Sequence, residues 1–251
     1  MPKTPSQEIL QSIEALQKRI DYVFKNAYIL RTAITHSSFA NEEKQTNGAE
    51  APNNERMEFL GDAVLELVTS RFIYESFPDM KEGEMTKYRA SIVCEPTLAA
   101  CARDFELQNY LLLGKGEEAT GGRHRDSIIS DALEALIGAI YLDSGIKEAQ
   151  SFIMKYILSD IDNKRLFYDS KSNLQEVMQT LGRELIYEEI AEEGPQHEKE
   201  FTMEVRSPEF FCLRAKGHSK KAAQQKCAYE ALILLKEKGI NVFKKFGDTG
   251  I

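Results

Sequence analysis

The segment Asn54–Val68, NERMEFLGDAVLELV, carries the pattern that decides the fold of the first part of the chain. Its apolar residues recur at the three- and four-residue spacing of an amphipathic helix. Glu55, Glu58 and Asp62 fall within about 60° of one another on that helix, at 100° per residue. Glu66 lies on the same stripe. Because like charges four residues apart destabilise a helix, the stripe is either a solvated surface or a site that takes up a cation.

A second pair of acids lies in a helix that is otherwise apolar. The segment Ser127–Leu142, SIISDALEALIGAIYL, has Asp131 and Glu134 as its only charges, and a helix that is apolar on all sides is buried. Buried carboxylates are costly unless a cation compensates them. The alternative is local, since Asp-x-x-Glu is also a capping-box pattern at a helix N-terminus. Two helices with inward acids favour an all-oxygen site for Mg²⁺ or Mn²⁺.

The composition excludes several other classes. The chain has 251 residues, of which 42% are apolar, and a net charge of -8. No stretch reaches the roughly 18 to 20 apolar residues of a membrane span, and the N-terminus lacks the apolar core of a signal peptide. We therefore expect a cytoplasmic protein with no membrane partner. The four cysteines and four histidines form no ligand or nucleophile motif, so metal-dependent hydrolysis without an organic cofactor is the remaining enzymatic interpretation.

Helical spacing recurs through the first two thirds of the chain, and no convincing strand precedes residue 180. The predicted helices are Ser6–Asp21, Ala27–Thr35, Arg56–Phe77, Glu84–Phe105, Ser127–Ser144 and Ile146–Ile157. Two polar stretches that contain glycine, Asn41–Asn54 and Gly114–Arg125, are predicted to be surface loops. A phosphate-binding role for the second stretch is disfavoured, because no buried strand precedes it.

A second unit follows a polar stretch of chain. We expect a helical domain at 1–160, a linker at 161–169, a second domain at 170–240 and a tail at 241–251. The second domain has the predicted order α-β-β-β-α. Its predicted elements are the helix Ser172–Leu181, the strands Glu184–Glu192, Glu200–Arg206 and Phe210–Lys216, and the helix Lys220–Lys238. Between Arg214 and Lys226 there are five bases and no acid, which indicates a local basic patch on an acidic protein.

Together these segments resemble bacterial ribonuclease III. Residues 54–65, NERMEFLGDAVL, match the signature of that family nearly position for position. The supporting motifs are THSS at 35–38, EGEM at 82–85, RAS at 89–91, DALEA at 131–135 and IG at 137–138. Residues 170–240 resemble a double-stranded RNA-binding domain, with LQE at 174–176, GPQH at 194–197 and SKKAA at 219–223. The resemblance covers Ile9 to Leu235.

The resemblance implies an all-α endonuclease domain followed by an α-β-β-β-α double-stranded RNA-binding domain. It implies a homodimer that hydrolyses both strands of double-stranded RNA with Mg²⁺, for which Mn²⁺ can substitute. The products would carry 5′-phosphate and 3′-hydroxyl ends. The implied substrates are ribosomal RNA precursors and structured messenger RNAs, with transcripts of tRNA operons as a further candidate.

The resemblance also implies roles for individual residues. The implied metal ligands are Glu58, Asp62, Asp131 and Glu134, of which Asp62 and Glu134 would also be catalytic. Glu55 and Glu82 match acids that face the RNA. The implied RNA-binding residues are Gln175, Glu176, His197, Lys220 and Lys221. Glu66 is not required by the family and is expected at the surface. The long predicted loop at 41–54 and Ala215, at a position often occupied by glycine, depart from the family pattern.

Two other functions compete with this interpretation. A non-catalytic scaffold that binds duplex RNA would be expected to lose at least one of the four acids, and all four are present. A metal-dependent nucleotide phosphohydrolase would leave the second domain unexplained. For the isolated second domain we expect weak binding of RNA with a strong dependence on salt, because phosphate contacts release counterions.

Overall fold

A computed structural model describes residues 7–48, 51–159, 170–195, 199–208, 210–217 and 219–242. The chain divides into two compact units, residues 1–159 and residues 160–251. The predicted linker at 161–169, the predicted RNA-binding residue His197 and most of the predicted tail lie outside the described residues. No described helix is long and apolar enough to cross a membrane.

The first unit is built from helices. They are α1 Gln7–Arg19, α2 Ala27–Ala33, α3 Ser37–Asn47, α4 Glu55–Ser76, α5 Glu82–Ile92, α6 Glu95–Asp104, α7 Lys115–Ala119, α8 Asp126–Ser144 and α9 Ile146–Tyr156. Short 3₁₀ turns occupy Leu107–Tyr110 and Gly122–His124. Within the described part of this unit, the only strand-like pairing is a single parallel bridge between Thr35 and Leu112. The predicted all-α first domain is confirmed.

Helix α8 lies at the centre of this unit. It packs against α2, α4, α6 and α9, and its residues Ala135–Ile140 are all buried. A helix with neighbours on several sides has no solvated face, so its sequence is apolar almost throughout. Between Ile128 and Ile140, Asp131 and Glu134 are therefore the only charged residues in a stretch that otherwise forms the core.

Helices α4 and α8 cross with their backbones in contact. A Cβ atom added to Gly61 would lie 1.8 Å from the carbonyl oxygen of Glu134, and one added to Gly138 would lie 2.3 Å from that of Met57. Both distances are far below van der Waals contact, so only glycine fits at either position. The close crossing brings the acids of α4 next to those of α8.

Three local predictions were wrong. The predicted loop Asn41–Asn54 is helical as far as Asn47, because His36 caps the start of α3 and Gly48, at φ 71°, ends it. The single predicted helix Glu84–Phe105 is two helices, and Pro96 stands in the first turn of the second, where its ring is tolerated. The predicted loop Gly114–Arg125 contains α7 and a 3₁₀ turn.

The second unit places two helices against a three-stranded sheet. Its elements are α10 Ser170–Thr180, β1 Ile186–Glu193, β2 Glu200–Ser207, β3 Phe211–Gly217 and α11 Lys220–Glu237. The strands are antiparallel in the order β1-β2-β3, and a bulge interrupts β1 between Glu189 and Ala191. The core contains Met203 and Val205 of β2, Leu174 of α10 and Leu232 of α11. The predicted order α-β-β-β-α is confirmed.

Candidate active site and nucleic-acid surface

Three carboxylates converge where α4 crosses α8. One oxygen from each of Glu58, Asp131 and Glu134 lies within 4.8 Å of the other two, and all three residues are partly buried. Among the residues that the structure describes, none of these three acids forms a salt bridge. The cluster therefore groups carboxylates in a partly dry environment in which no described base forms a salt bridge with them.

The pKa values in this cluster are displaced upward. Burial raises the pKa of Glu134 to about 8, and the charges of Asp62, Asp131 and Glu58 add to the shift. Burial is also the largest cause of the raised pKa of Glu58 and of Asp131, with neighbouring acids contributing to both. Each charged form is destabilised by the others, so a bound cation would stabilise the fully ionised cluster.

The donor set fits a hard divalent cation. All three side chains offer carboxylate oxygens, and no histidine or thiol belongs to this group. Mg²⁺ and Mn²⁺ prefer such oxygen ligands. The capping-box alternative for Asp131 and Glu134 is wrong, because α8 begins at Asp126 and both acids lie beyond its first turn.

The other acids of α4 surround this cluster without joining it. Asp62 is exposed one turn after Glu58 and lies outside the three-oxygen group, although its charge raises the pKa of Glu134. Glu55 is exposed in the first turn of α4 and contributes to the raised pKa of Glu58. Glu66 forms an ion pair of 2.8 Å with Arg89, as is usual for a surface residue.

Glu82 occupies a different place from the cluster. It is the first residue of α5, and its carboxylate accepts a hydrogen bond of 3.1 Å from the Thr86 hydroxyl. It lines a groove of about 550 Å³, which Leu67, Tyr74 and Met85 also line. The structure therefore leaves Glu82 outside the three-carboxylate group.

Two residues that influence the cluster were missed in the sequence analysis. Glu95 opens α6, and its charge helps to raise the pKa of Asp131, whereas the charge of His36 lowers it. His36 also caps α3, through a contact of 3.3 Å between its Nδ1 and the amide of Ser38. Recognition of Pro96 as a helix-start signal would have put Glu95 at the beginning of a helix.

Exposed apolar side chains follow one side of α4. Phe59, Leu67 and Tyr74 are 81%, 62% and 72% exposed. Leu67 and Tyr74 line the groove at α5, and Phe59 directly follows Glu58. An exposed apolar stripe of this kind, on a helix that already packs against the core with its other side, is typical of a protein interface.

The predicted RNA-binding residues of the second unit that the structure describes lie on its two helices. Gln175 and Glu176 are exposed on α10, next to buried Leu174. Lys220 and Lys221 are exposed in the first turn of α11, which Ser219 caps by accepting a hydrogen bond of 3.1 Å from the Ala222 amide. The free amides and the positive end of a helix dipole suit this position to phosphate.

These two units define a class of protein. The first holds carboxylates that suit a divalent cation at the crossing of two helices, and the second carries a basic helix start beside an antiparallel sheet. Such a pair is typical of a metal-dependent nuclease with its own nucleic-acid-binding module.

Known proteins identify the family. A model for the family described as ribonuclease-III-like matches residues 26–161, and one for the double-stranded RNA binding motif matches residues 170–235. Ribonuclease 3 of Pelotomaculum thermopropionicum is 47% identical over 222 residues, which cover 87% of this chain and 91% of the relative. Ribonuclease 3 of Bacillus licheniformis is 42% identical, with 92% and 93% covered.

A solved structure supports the same assignment. The nuclease domain of ribonuclease III from Campylobacter jejuni is 39% identical with a TM-score of 0.54, and it covers 60% of this chain and 99% of that domain. The chain belongs to the ribonuclease III family. It is an endoribonuclease with a domain that binds double-stranded RNA.

Proposed function

We propose that this chain hydrolyses phosphodiester bonds of double-stranded RNA at the carboxylate cluster of α4 and α8, with Mg²⁺ as its metal and Mn²⁺ as a substitute. The convergence of Glu58, Asp131 and Glu134 within 4.8 Å carries the proposal. The products carry 5′-phosphate and 3′-hydroxyl ends. The substrates are ribosomal RNA precursors, structured messenger RNAs and transcripts of tRNA operons, and the protein acts in the cytoplasm.

The acids of the cluster have distinct parts in this proposal. Glu58, Asp131 and Glu134 hold the metal, and Asp62 adds an oxygen from the exposed side, where the substrate approaches. The bound metal would lower the pKa of a water molecule and neutralise charge on the phosphate. Asp62 and Glu134 orient the attacking water as catalytic residues. Burial, and after it the charges of neighbouring acids, raises the pKa of Glu134. A bound cation would oppose both effects, so Glu134 would be ionised in the loaded enzyme.

The remaining predicted residues contact the duplex. Glu55 and Glu82 face the RNA beside the cluster. In the RNA-binding domain at 170–240, Lys220 and Lys221 bind phosphates. Gln175, Glu176 and His197 contact 2′-hydroxyls in the shallow minor groove, which distinguishes RNA from DNA. The nuclease domain at 1–160 is joined to this domain by the linker at 161–169.

The cleavage test compares the intact chain with Glu134→Gln on an end-labelled RNA duplex in Mg²⁺ at fixed, low salt. We expect Glu134→Gln to reduce the rate of cleavage by at least about 100-fold, because it removes a ligand and a charge from the cluster. Binding of the duplex should be unchanged. Glu148→Gln, an exposed acid of α9, should cleave like the intact chain.

Two results would contradict the proposal. If the intact chain and Glu134→Gln both bind the duplex but neither cleaves it, and Mn²⁺ gives no rescue, the chain is an RNA-binding scaffold. If Glu134→Gln cleaves at the rate of the intact chain, the cluster is not the site of hydrolysis.

We also propose that the chain forms a homodimer through the exposed apolar side of α4. The solved nuclease domain of ribonuclease III from Campylobacter jejuni has a flexible region that is involved in dimer formation. Phe59, Leu67 and Tyr74 provide the apolar area that such an interface buries. Two copies of the cluster would then serve the two strands of one duplex.

The oligomeric state tests the second proposal. Phe59→Asp should convert the dimer to a monomer in sedimentation equilibrium, since a carboxylate would be buried without a partner. Val23→Asp is the matched control, because Val23 is 78% exposed outside α4 and should leave the mass unchanged. A Phe59→Asp protein that remains dimeric, or an intact chain that is monomeric, would overturn the interface.

A further inference from the structure

The first lysine of α11 is already engaged by the sheet of its own domain. The Nζ of Lys220 lies 2.7 Å from a carboxylate oxygen of Glu189 and 5.6 Å from the centre of the Phe201 ring. The hydrogen bond to Glu189 is the largest cause of the raised pKa of Lys220, and the charge of Glu192 adds to it. Lys220 is therefore held by an acid, an aromatic ring and a second negative charge.

The position of Glu189 is set by the sheet. It pairs with Met203 in the β1-β2 ladder, immediately before the bulge of β1. Met203 belongs to the core beneath the helices, and residues paired across a ladder share a face. Glu189 therefore lies on the helix side of the sheet, where its side chain meets the start of α11.

The neighbouring residues do not share this arrangement. Lys221 forms no ion pair with a described residue, although it lies in the same turn of α11. Glu188 precedes Glu189 but pairs across the ladder with Glu204, on the other face of the sheet. Its partner there is Arg206, at 3.3 Å. In the protein without RNA, Lys220 is therefore in an ion pair, whereas its neighbour Lys221 is in none with the described residues.

We propose that Glu189 competes with RNA phosphate for Lys220. This inference rests on the proposed role of α11 as a phosphate-binding helix. In the free protein, Glu189 neutralises Lys220. When a duplex phosphate takes its place, the ion pair breaks, and the freed carboxylate is left close to the RNA backbone. The phosphate contact of Lys221 contributes fully to the affinity for RNA, whereas the competing carboxylate reduces the contribution of the contact at Lys220.

The exchange has a consequence for salt dependence. A lysine that neutralises a phosphate releases a counterion, and each such contact steepens the dependence of affinity on salt. At Lys220 the freed Glu189 takes up a cation, which offsets that release. The chain should therefore bind duplex RNA with a shallower salt slope than its number of lysines suggests.

The experiment measures the affinity of the full-length chain for a blunt RNA duplex without divalent metal, so that no cleavage occurs, across a series of salt concentrations. Glu189→Gln should tighten binding at low salt by about 3- to 10-fold and steepen the salt slope by about one unit. Glu188→Gln removes the same charge from the opposite face of the same strand and should change neither quantity. Thermal melting of each variant checks that the domain is folded.

The two lysines provide an internal comparison. In the wild-type background, Lys220→Gln should weaken binding less than Lys221→Gln. In the Glu189→Gln background, the two substitutions should weaken binding equally, because Lys220 is then free to bind phosphate.

The outcomes separate the inference from the function on which it rests. If the wild-type chain binds the duplex but Glu189→Gln behaves like Glu188→Gln, the competition is refuted. The same holds if Lys220→Gln and Lys221→Gln weaken wild-type binding equally. If the wild-type chain binds no duplex at any salt concentration, the proposed RNA-binding role fails, and the competition fails with it.

Discussion

The acidic cluster of the first unit and the charged surface of the second use the same residue types in opposite ways. Glu134 lies among acids and forms no salt bridge with a described residue, and burial raises its pKa to about 8. Glu204 of β2 holds Arg214 at 2.7 Å, and this hydrogen bond lowers the pKa of Glu204. A carboxylate thus becomes a candidate metal ligand or one half of an ion pair, according to the partner that the fold supplies.

The difference indicates how each region responds to a ligand. The cluster of Glu58, Asp131 and Glu134 is unfavourable when fully ionised, so a cation that binds there relieves repulsion. At the surface of the second unit, Lys220 and Glu189 already neutralise each other. A polyanion that binds there must displace an existing partner, and the net gain from each contact is smaller.

The largest expected effect concerns the crossing that creates the cluster. Gly61→Ala and Gly138→Ala should each lower the free energy of unfolding of the first unit by about 3 kcal/mol, because the new Cβ atoms would overlap backbone atoms of the facing helix. Urea unfolding measures this change. Gly83→Ala in α5 is the control, since its Cβ would meet no atom within 4 Å. Equal stability of all three variants would show that the crossing tolerates a wider spacing.

The second effect is stabilisation by Mg²⁺, which should depend on the unpaired acids of the cluster and not on an acid that is paired at the surface. Mg²⁺ at about 100 times its dissociation constant should stabilise the wild-type chain by about 2.7 kcal/mol, which raises the melting temperature by roughly 5–10 °C. Glu134→Gln should lose most of this rise. Glu75→Gln, an exposed acid of α4 that pairs with Arg71, should keep all of it. A full rise in Glu134→Gln would place the metal elsewhere.

The third effect concerns pH in the absence of metal. The folded state binds a proton at Glu134 up to about pH 8, whereas the unfolded state releases it near the ordinary value of 4.5. Stability should therefore fall as the pH rises through this window. Glu134→Gln removes the penalty and should raise the metal-free melting temperature at pH 8 by roughly 2–6 °C, after allowance for solvent screening. A lower melting temperature than wild type would mean that the cluster is not repulsive.

The smallest effect is expected where a charge is already paired at the surface. The ion pair of Glu188 with Arg206 is about half exposed at both ends. Glu188→Gln should change the free energy of unfolding by less than about 0.5 kcal/mol. A loss above about 1 kcal/mol in chemical denaturation would show that surface pairing stabilises this sheet more than the comparison assumes.

Much of the fold follows from local patterns. Apolar periodicity around Glu58 and around Glu134 predicted two helices that the structure contains, and alternation after residue 184 predicted the three strands. The wrong predictions lie where a single residue determines the start or the end of a helix. Pro96 opens a new helix instead of continuing the old one, and His36 and Gly48 delimit a helix in a polar stretch. Such signals are single residues, which an average over a window hides.

By itself, the sequence determined most of the helices and strands and which residues share a face of each, because periodicity and capping act between near neighbours in the chain. It therefore specified the two acidic helices and the family signature. Only the tertiary structure decided which acids converge, since Glu58 and Asp131 meet through the contact of Gly61 with the backbone of α8, more than 70 residues away. The same applies to Glu189 and Lys220, which the sheet and α11 bring to 2.7 Å. Distances of this kind depend on how whole elements pack, and no local spacing encodes them.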